Sequence, residues 1–114
     1  MRFLWDNKID DATLTASDEV AGYAIANIKD YHLSKKYSSG ENNTTIDIDL
    51  GSAEQVTDVV LCGTNVTATA TTLAIKAGTT AAVSDFSTTG DLRSNGYINF
   101  DSFDETYQYW QIEV

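Results

Sequence analysis

Ile46, Ile48 and Leu50 alternate with Asp47 and Asp49. Successive side chains of a strand point to opposite faces, so this period of two predicts a strand with its apolar residues on a core and its aspartates in water. Gly51 follows and allows a turn. A β-branched, apolar stretch then runs from Val56 to Leu61, and its near-continuous apolar character predicts a second strand buried on both faces.

The same reading extends in both directions along the chain. Residues 1–11 mix aromatic, apolar and acidic positions without a period, as an entry segment lying across a sheet end would. Residues 12–17 predict a short first strand, residues 24–28 a single helical turn or tight loop, and residues 33–37 another short strand. Ser38, Ser39, Gly40, Glu41, Asn42 and Asn43 form the clearest loop. The Thr-rich tract 64–72 suits strand or edge positions, and residues 72–78 alternate with Leu73 and Ile75 inward. Residues 79–95 are small and polar around Phe86 and predict a long connection with at most a short strand. Residues 97–100 and 107–114 complete the set. Seven to eight short strands separated by turn signals, with no amphipathic helix, predict an all-β fold, an antiparallel β-sandwich.

Composition sharpens this picture. The chain has 114 residues, 42% of them hydrophobic, which is enough for one core and too few for two ordinary domains, so residues 1–114 are expected to form a single domain. Seventeen acids against seven bases give a net charge of −10, with no basic cluster beyond Lys35 and Lys36. Phosphate backbones and anionic lipid demand clustered Lys and Arg, so nucleic acid and membrane surfaces are disfavoured as partners. Phe3, Leu4 and Trp5 are too few apolar residues before Asp6 to read as a signal peptide, and no run approaches the ~18 apolar residues of a membrane span. The expectation is a protein made in a cytoplasm without a cleaved leader. The lone cysteine, Cys62, agrees with that compartment and reads as a buried, inert thiol within the most apolar strand.

Several segments together carry a resemblance. They are Leu14 to Ser17, Gly22 to Asp30, Ile46 to Gly51, Val56 to Gly63, and Tyr109 to Ile112. In this order the chain resembles the discoidin-like (factor V/VIII type C, galactose-binding-like) jelly roll. It is similar in particular to discoidin-like proteins encoded by tailed bacteriophages, through Phe3-Leu4-Trp5-Asp6, the Leu14–Ser17 strand and the Tyr23–Asp30 loop. The resemblance implies a jelly-roll sandwich and a part of a virion assembled in a host cytoplasm. Two departures accompany it. Asp30-Tyr31-His32 replaces the acidic-glycine turn that accompanies the family's structural calcium, and the chain stops at Val114, where relatives continue into a closing strand. The second departure leads to the expectation of an open edge after Trp110 and of self-association or a labile terminal strand.

Candidate chemistry is sparse. His32 is the only histidine, so neither a serine triad nor a multi-histidine zinc site can be assembled within the chain. Asp47, Asp49 and Asp58 read as solvated surface carboxylates rather than a glycosidase pair. Asp6, Asp10, Asp11 and Asp30 are the carboxylates that a sheet end could gather as oxygen ligands for calcium, although EF-hand spacing is absent. Tyr23, Tyr31, His32 and Tyr37 fall in predicted loops or strand ends. Sugars stack their C–H faces on aromatic rings while polar neighbours take the hydroxyls, so Tyr31 and His32 with Asn42 and Asn43 form a candidate glycan rim. Tyr37 and Trp110 read instead as rings that plug the core.

The first functional expectation is a non-catalytic structural or adhesion module of a phage virion, in the tail or another surface assembly. It would dock to neighbouring virion proteins or to itself, with loops contacting a host-surface glycan. The alternative is an autonomous carbohydrate-binding module of a cell-surface or secreted protein.

Overall fold

A computed structural model of the chain describes residues 6–29, 35–41, 43–62, 73–93, 97–101 and 103–113. Eight strands follow in chain order: β1 (Thr13–Ala16), β2 (Thr45–Val56), β3 (Val59–Leu61), β4 (Ala74–Gly78), β5 (Phe86–Thr89), β6 (Asp91–Arg93), β7 (Tyr97–Phe100) and β8 (Glu105–Glu113). Two 3-10 turns, Lys8–Asp11 and Ile25–Lys29, flank β1. Five strands form one antiparallel sheet in the order β1-β2-β8-β4-β5, and three form a second in the order β3-β7-β6. The expected all-β, two-sheet architecture is therefore what the chain adopts.

Strand register shows why the alternation works. On the larger sheet, Leu14, Ile48, Trp110, Ala77 and Phe86 lie across from one another in one row, and Ala16, Ile46, Ile112, Ile75 and Thr88 in the next. These rows meet Ile98 and Phe100 of β7, and Ala12 and Ile25 close the same core. Burying each such large side chain contributes about 1.5–3 kcal/mol. At one end Trp110 sits within ring-contact distance of Phe86 (6.3 Å), Phe103 (5.9 Å) and Tyr107 (6.3 Å), and its Nε1 donates to the Tyr107 carbonyl at 3.0 Å. The indole is thus buried with its one polar atom satisfied. Trp110 and Tyr37 pack with the core as expected.

Several sequence expectations change. Gly51 is not a turn but an irregularity inside β2: it adopts φ 80°, its N–H donates to Asp49 Oδ1 at 2.8 Å, and the pairing with β8 shifts register between Asp49 and Glu54. A glycine tolerates this left-handed conformation, so the strand bends and continues to Val56. The stretch 56–61 is consequently split between two sheets, with Thr57 and Asp58 crossing from one to the other, and Val59, Val60 and Leu61 are each half-buried rather than enclosed. Cys62 lies just past the end of β3 and is exposed, not buried. Residues 79–95 hold two strands, β5 and β6, where one at most was expected. Lys35, Lys36 and Tyr37 are in no strand, and the Thr-rich tract 64–72 lies outside the described residues.

The carboxy-terminal strand is also placed differently. β8 has β2 on one side and β4 on the other, so it is an interior strand, not an open edge. Among the described residues the strands with one neighbour are β1 and β5 in the larger sheet and β3 and β6 in the smaller.

Candidate glycan-contact loops

The loop that leaves β1 is organised by its acids. The Asp18 carboxylate accepts from the Gly40 N–H and, at 3.4 Å, from Ser39 Oγ, while its carbonyl accepts the Tyr37 hydroxyl at 2.8 Å. Glu19 Oε1 accepts the Ile25 N–H at 2.8 Å, which caps the 3-10 turn Ile25–Lys29 and lets Ile25 enter the core. Two backbone bonds then fasten the loop to the segment beside it: Val20 N to Ser38 O at 2.9 Å and Ser38 N to Tyr23 O at 3.1 Å. Asn27 Nδ2 donates to the Lys36 carbonyl at 2.8 Å and extends the seam.

The result is a fixed loop with apolar groups turned out. Val20 is 39% exposed, Tyr23 47% and Ile28 39%, the large hydrophobic residues that stand out on this surface. Tyr23 is bonded through its own backbone carbonyl, so the ring is presented from a held position. The second segment holds its own polar groups in place. Ser39 Oγ shares a short hydrogen bond of 2.5 Å with Thr44 Oγ1 and accepts the Glu41 N–H at 3.0 Å, and Glu41 and Asn43 are exposed. Partial burial is the main reason the Tyr37 phenol is held above its ordinary value.

Asn43 is exposed, whereas Tyr31, His32 and Asn42 lie outside the described residues. The expected calcium carboxylates distribute differently. Asp6 is paired with Lys8 Nζ at 2.7 Å and holds that ammonium above the ordinary lysine value, and Asp10 Oδ1 accepts from Asn7 Nδ2 at 3.1 Å. Asp11 ends the first 3-10 turn, and Asp30 lies outside the described residues. Among the described residues no three His, Cys, Asp or Glu side chains converge as metal ligands. Sequence reasoning named Tyr23 but missed Asp18 and Glu19 as the residues that set its loop. Their signal was positional: two acids directly after a strand, facing a glycine-containing loop across the chain.

No family description matches the chain, and no curated relative does. Among solved structures it is similar to chitosan-binding module 1 of a chitosanase/glucanase from Paenibacillus sp. IK-5, with a TM-score of 0.74 and 21% identity over 96% of this chain and 86% of that one. A selenomethionine-labelled point mutant of the same module superposes with a TM-score of 0.73 at 21% identity, over 94% of this chain and 84% of the other. The likeness is one of fold.

Proposed function

We propose that the chain is a non-catalytic glycan-binding module whose contact surface is the loop carrying Tyr23. The observation that carries this reading is the exposed Tyr23 ring on a loop fastened to its neighbour by Val20, Tyr23 and Ser38 backbone bonds. A ring held outward is already arranged to stack against a sugar, so little ordering opposes binding. Asn43, exposed beyond Glu41, is the polar residue assigned to the sugar hydroxyls, while Tyr31, His32 and Asn42, expected at the same rim, lie outside the described residues. Support comes from the fold shared with a chitosan-binding module and from the net charge of −10, which suits a polymer of protonated amino sugars better than an anionic one.

Placement on a phage tail or other virion surface rests on the sequence resemblance and is compatible with this role, since an adhesion module would present the same loop to a host glycan. Detecting the chain in purified particles by mass spectrometry would test that placement.

The glycan reading is tested by affinity electrophoresis in gels containing chitosan and by a glycan array. Wild-type protein should be retarded by at least one polymer, and Tyr23→Ala should weaken binding by about tenfold, near the upper end of what one aromatic contact contributes. No retention on any glycan would refute the reading. Retention unchanged in Tyr23→Ala would remove Tyr23 from it.

A further inference from the structure

The outward face of the larger sheet carries a pattern that the loop site does not use. Thr15, Asp47, Gln111, Lys76 and Ser87 are consecutive register partners across all five strands. They form an unbroken row of hydrogen-bonding side chains running perpendicular to the strands. Gln111 Nε2 donates to Asp47 Oδ1 at 2.6 Å, and Lys76 Nζ pairs with Glu113 Oε1 at 2.6 Å, so the row is cross-braced. The parallel row is Thr13, Asp49, Tyr109 and Gly78, and at Gly78 the loop after β4 covers the sheet, with Asp85 Oδ2 3.1 Å and Ser84 N 3.2 Å from where a Cβ would stand.

The row ends in a cleft of about 410 Å3, lined by Lys76, Gln111 and Ser87 from the sheet and by Val83, Ser84 and Asp85 from the loop after β4. The cleft wall is built rather than incidental. Asp85 Oδ2 accepts from Thr79 N at 2.8 Å and from Thr79 Oγ1 at 3.2 Å, and Asp85 N returns to Ala77 O at 3.1 Å. Val83 is 6% exposed although its φ is 47°, a left-handed conformation that β-branched residues rarely adopt. A Cβ on Gly78 would lie 3.0 Å from Val83 Cα, so the loop is folded directly onto the strand end.

We infer that this face, from Asp47 to the cleft, is a second glycan surface that takes a linear β-linked amino-sugar polymer laid across the strands. The inference rests on the reading of the chain as a glycan-binding module. Two properties select the occupant. Strands are about 4.8 Å apart, and a β-linked pyranose chain advances by a similar step per ring, so polar side chains on successive strands meet successive sugars. Charge selects the amino sugar: Asp47, Asp49 and Glu113 oppose only Lys76 in these rows and Glu113's own, so the face favours a protonated amine over a neutral or anionic ring. Tyr109 offers the ring for stacking, and Gln111, Ser87 and Ser84 offer amide and hydroxyl groups to the sugar oxygens.

The test is a titration of isotope-labelled protein followed by amide NMR, using glucosamine hexasaccharide and, separately, cellohexaose. Saturable shifts at Lys76, Ser87, Tyr109 and Gln111, at least about fivefold tighter for the amino oligomer, are expected. Shifts confined to residues 19–28 and 37–43 would overturn the sheet-face site while leaving the glycan reading in place. Equal affinity for both oligomers would overturn the amino-sugar assignment, and no saturable shift anywhere would overturn both proposals. Tyr109→Ala combined with Gln111→Ala, checked for an unchanged fold by circular dichroism, should weaken the sheet-face shifts by about tenfold and preserve those in the loops. Unchanged sheet-face affinity in that variant would refute the role of these residues.

Discussion

Replacing Gly90 by Ala should destabilise the protein through one identifiable collision. Gly90 joins β5 to β6 and so carries the chain from the five-stranded to the three-stranded sheet, its N–H bonded to Leu73 O at 3.0 Å. A Cβ there would lie 2.7 Å from both Cε1 and Cζ of Phe100 and 3.0 Å from Cγ2 of Ile98. Carbon atoms pack at about 3.5–4.0 Å, so something must move by close to 1 Å. Phe100 and Ile98 are both 0% exposed and cannot swing into solvent. Overpacking of this kind costs about 1–3 kcal/mol, while the stiffer unfolded chain of an alanine variant returns about 0.4–1 kcal/mol. The collision wins by about 1–2 kcal/mol. At about 4 °C per kcal/mol for a chain of this length, Tm should fall by about 4–8 °C. Thermal and urea unfolding followed by far-ultraviolet circular dichroism would measure it. Phe100→Leu removes the ring atoms in the way, so the double variant should lose less than the sum of the singles by about 0.5 kcal/mol or more. Gly51→Ala is the control: at φ 80° with nothing within 4 Å of its Cβ, its loss comes from backbone conformation and should be unaffected by Phe100→Leu. A Gly90→Ala variant as stable as wild type, or strict additivity with Phe100→Leu, would refute the packing argument.

Two further outcomes follow from groups whose titration the fold shifts. The Tyr37 phenol is raised by burial, so the folded protein holds that proton more tightly than the unfolded chain; the stability is complete below the unfolded value near 10.0 and is lost as pH rises through the folded one. Tyr37→Phe should remove this alkaline loss and, by deleting the bond to Asp18 O, lower stability at neutral pH by about 1 kcal/mol, read from urea midpoints at several pH values. Asp49 is held below the ordinary aspartate value by Gln108 Nε2 first and the Gly51 N–H second, so its contribution is present above the unfolded value and lost as pH falls through the folded one. Gln108→Ala should move the Asp49 midpoint upward in a carboxyl NMR titration, and no movement would show that Gly51 suffices.

How much of this was legible in the chain depended on whether a signal was local. Ile46, Ile48, Trp110 and Ile112 declare their strands because each sits on the inner face of an interior strand, where apolar side chains recur every second position. β5 declared itself only as the one short strand allowed around Phe86, and β6 did not: β5 is an edge strand whose inner face needs only Phe86 and Thr88, and its outer residues Ser87 and Thr89 resemble loop composition. Gly90 immediately after it reads as a breaker, although its role is to clear Phe100 at the crossing between sheets. The opposite error occurred at 56–61, where unbroken apolar character concealed a change of sheet at Thr57 and Asp58. The position of β8 between β2 and β4 is a property of partners 30 and more residues away, and no window along the sequence contains it.

The candidate surfaces follow the same division. An exposed Tyr23 was foreseeable from a tyrosine in a loop, but its fixed presentation depends on Ser38, Asn27 with Lys36, and Asp18 with Gly40, pairs separated by 9 to 22 positions. The row from Thr15 to Ser87 was still less visible, because Asp47 and Gln111 are 64 residues apart and become neighbours only through strand register. Alternation named Asp47 as outward and said nothing about what lay beside it. Register turns such solitary polar residues into a surface with a direction and a spacing. The proposed recognition of an extended polymer draws on that direction and spacing, since it needs many weak contacts in line and no single reactive group.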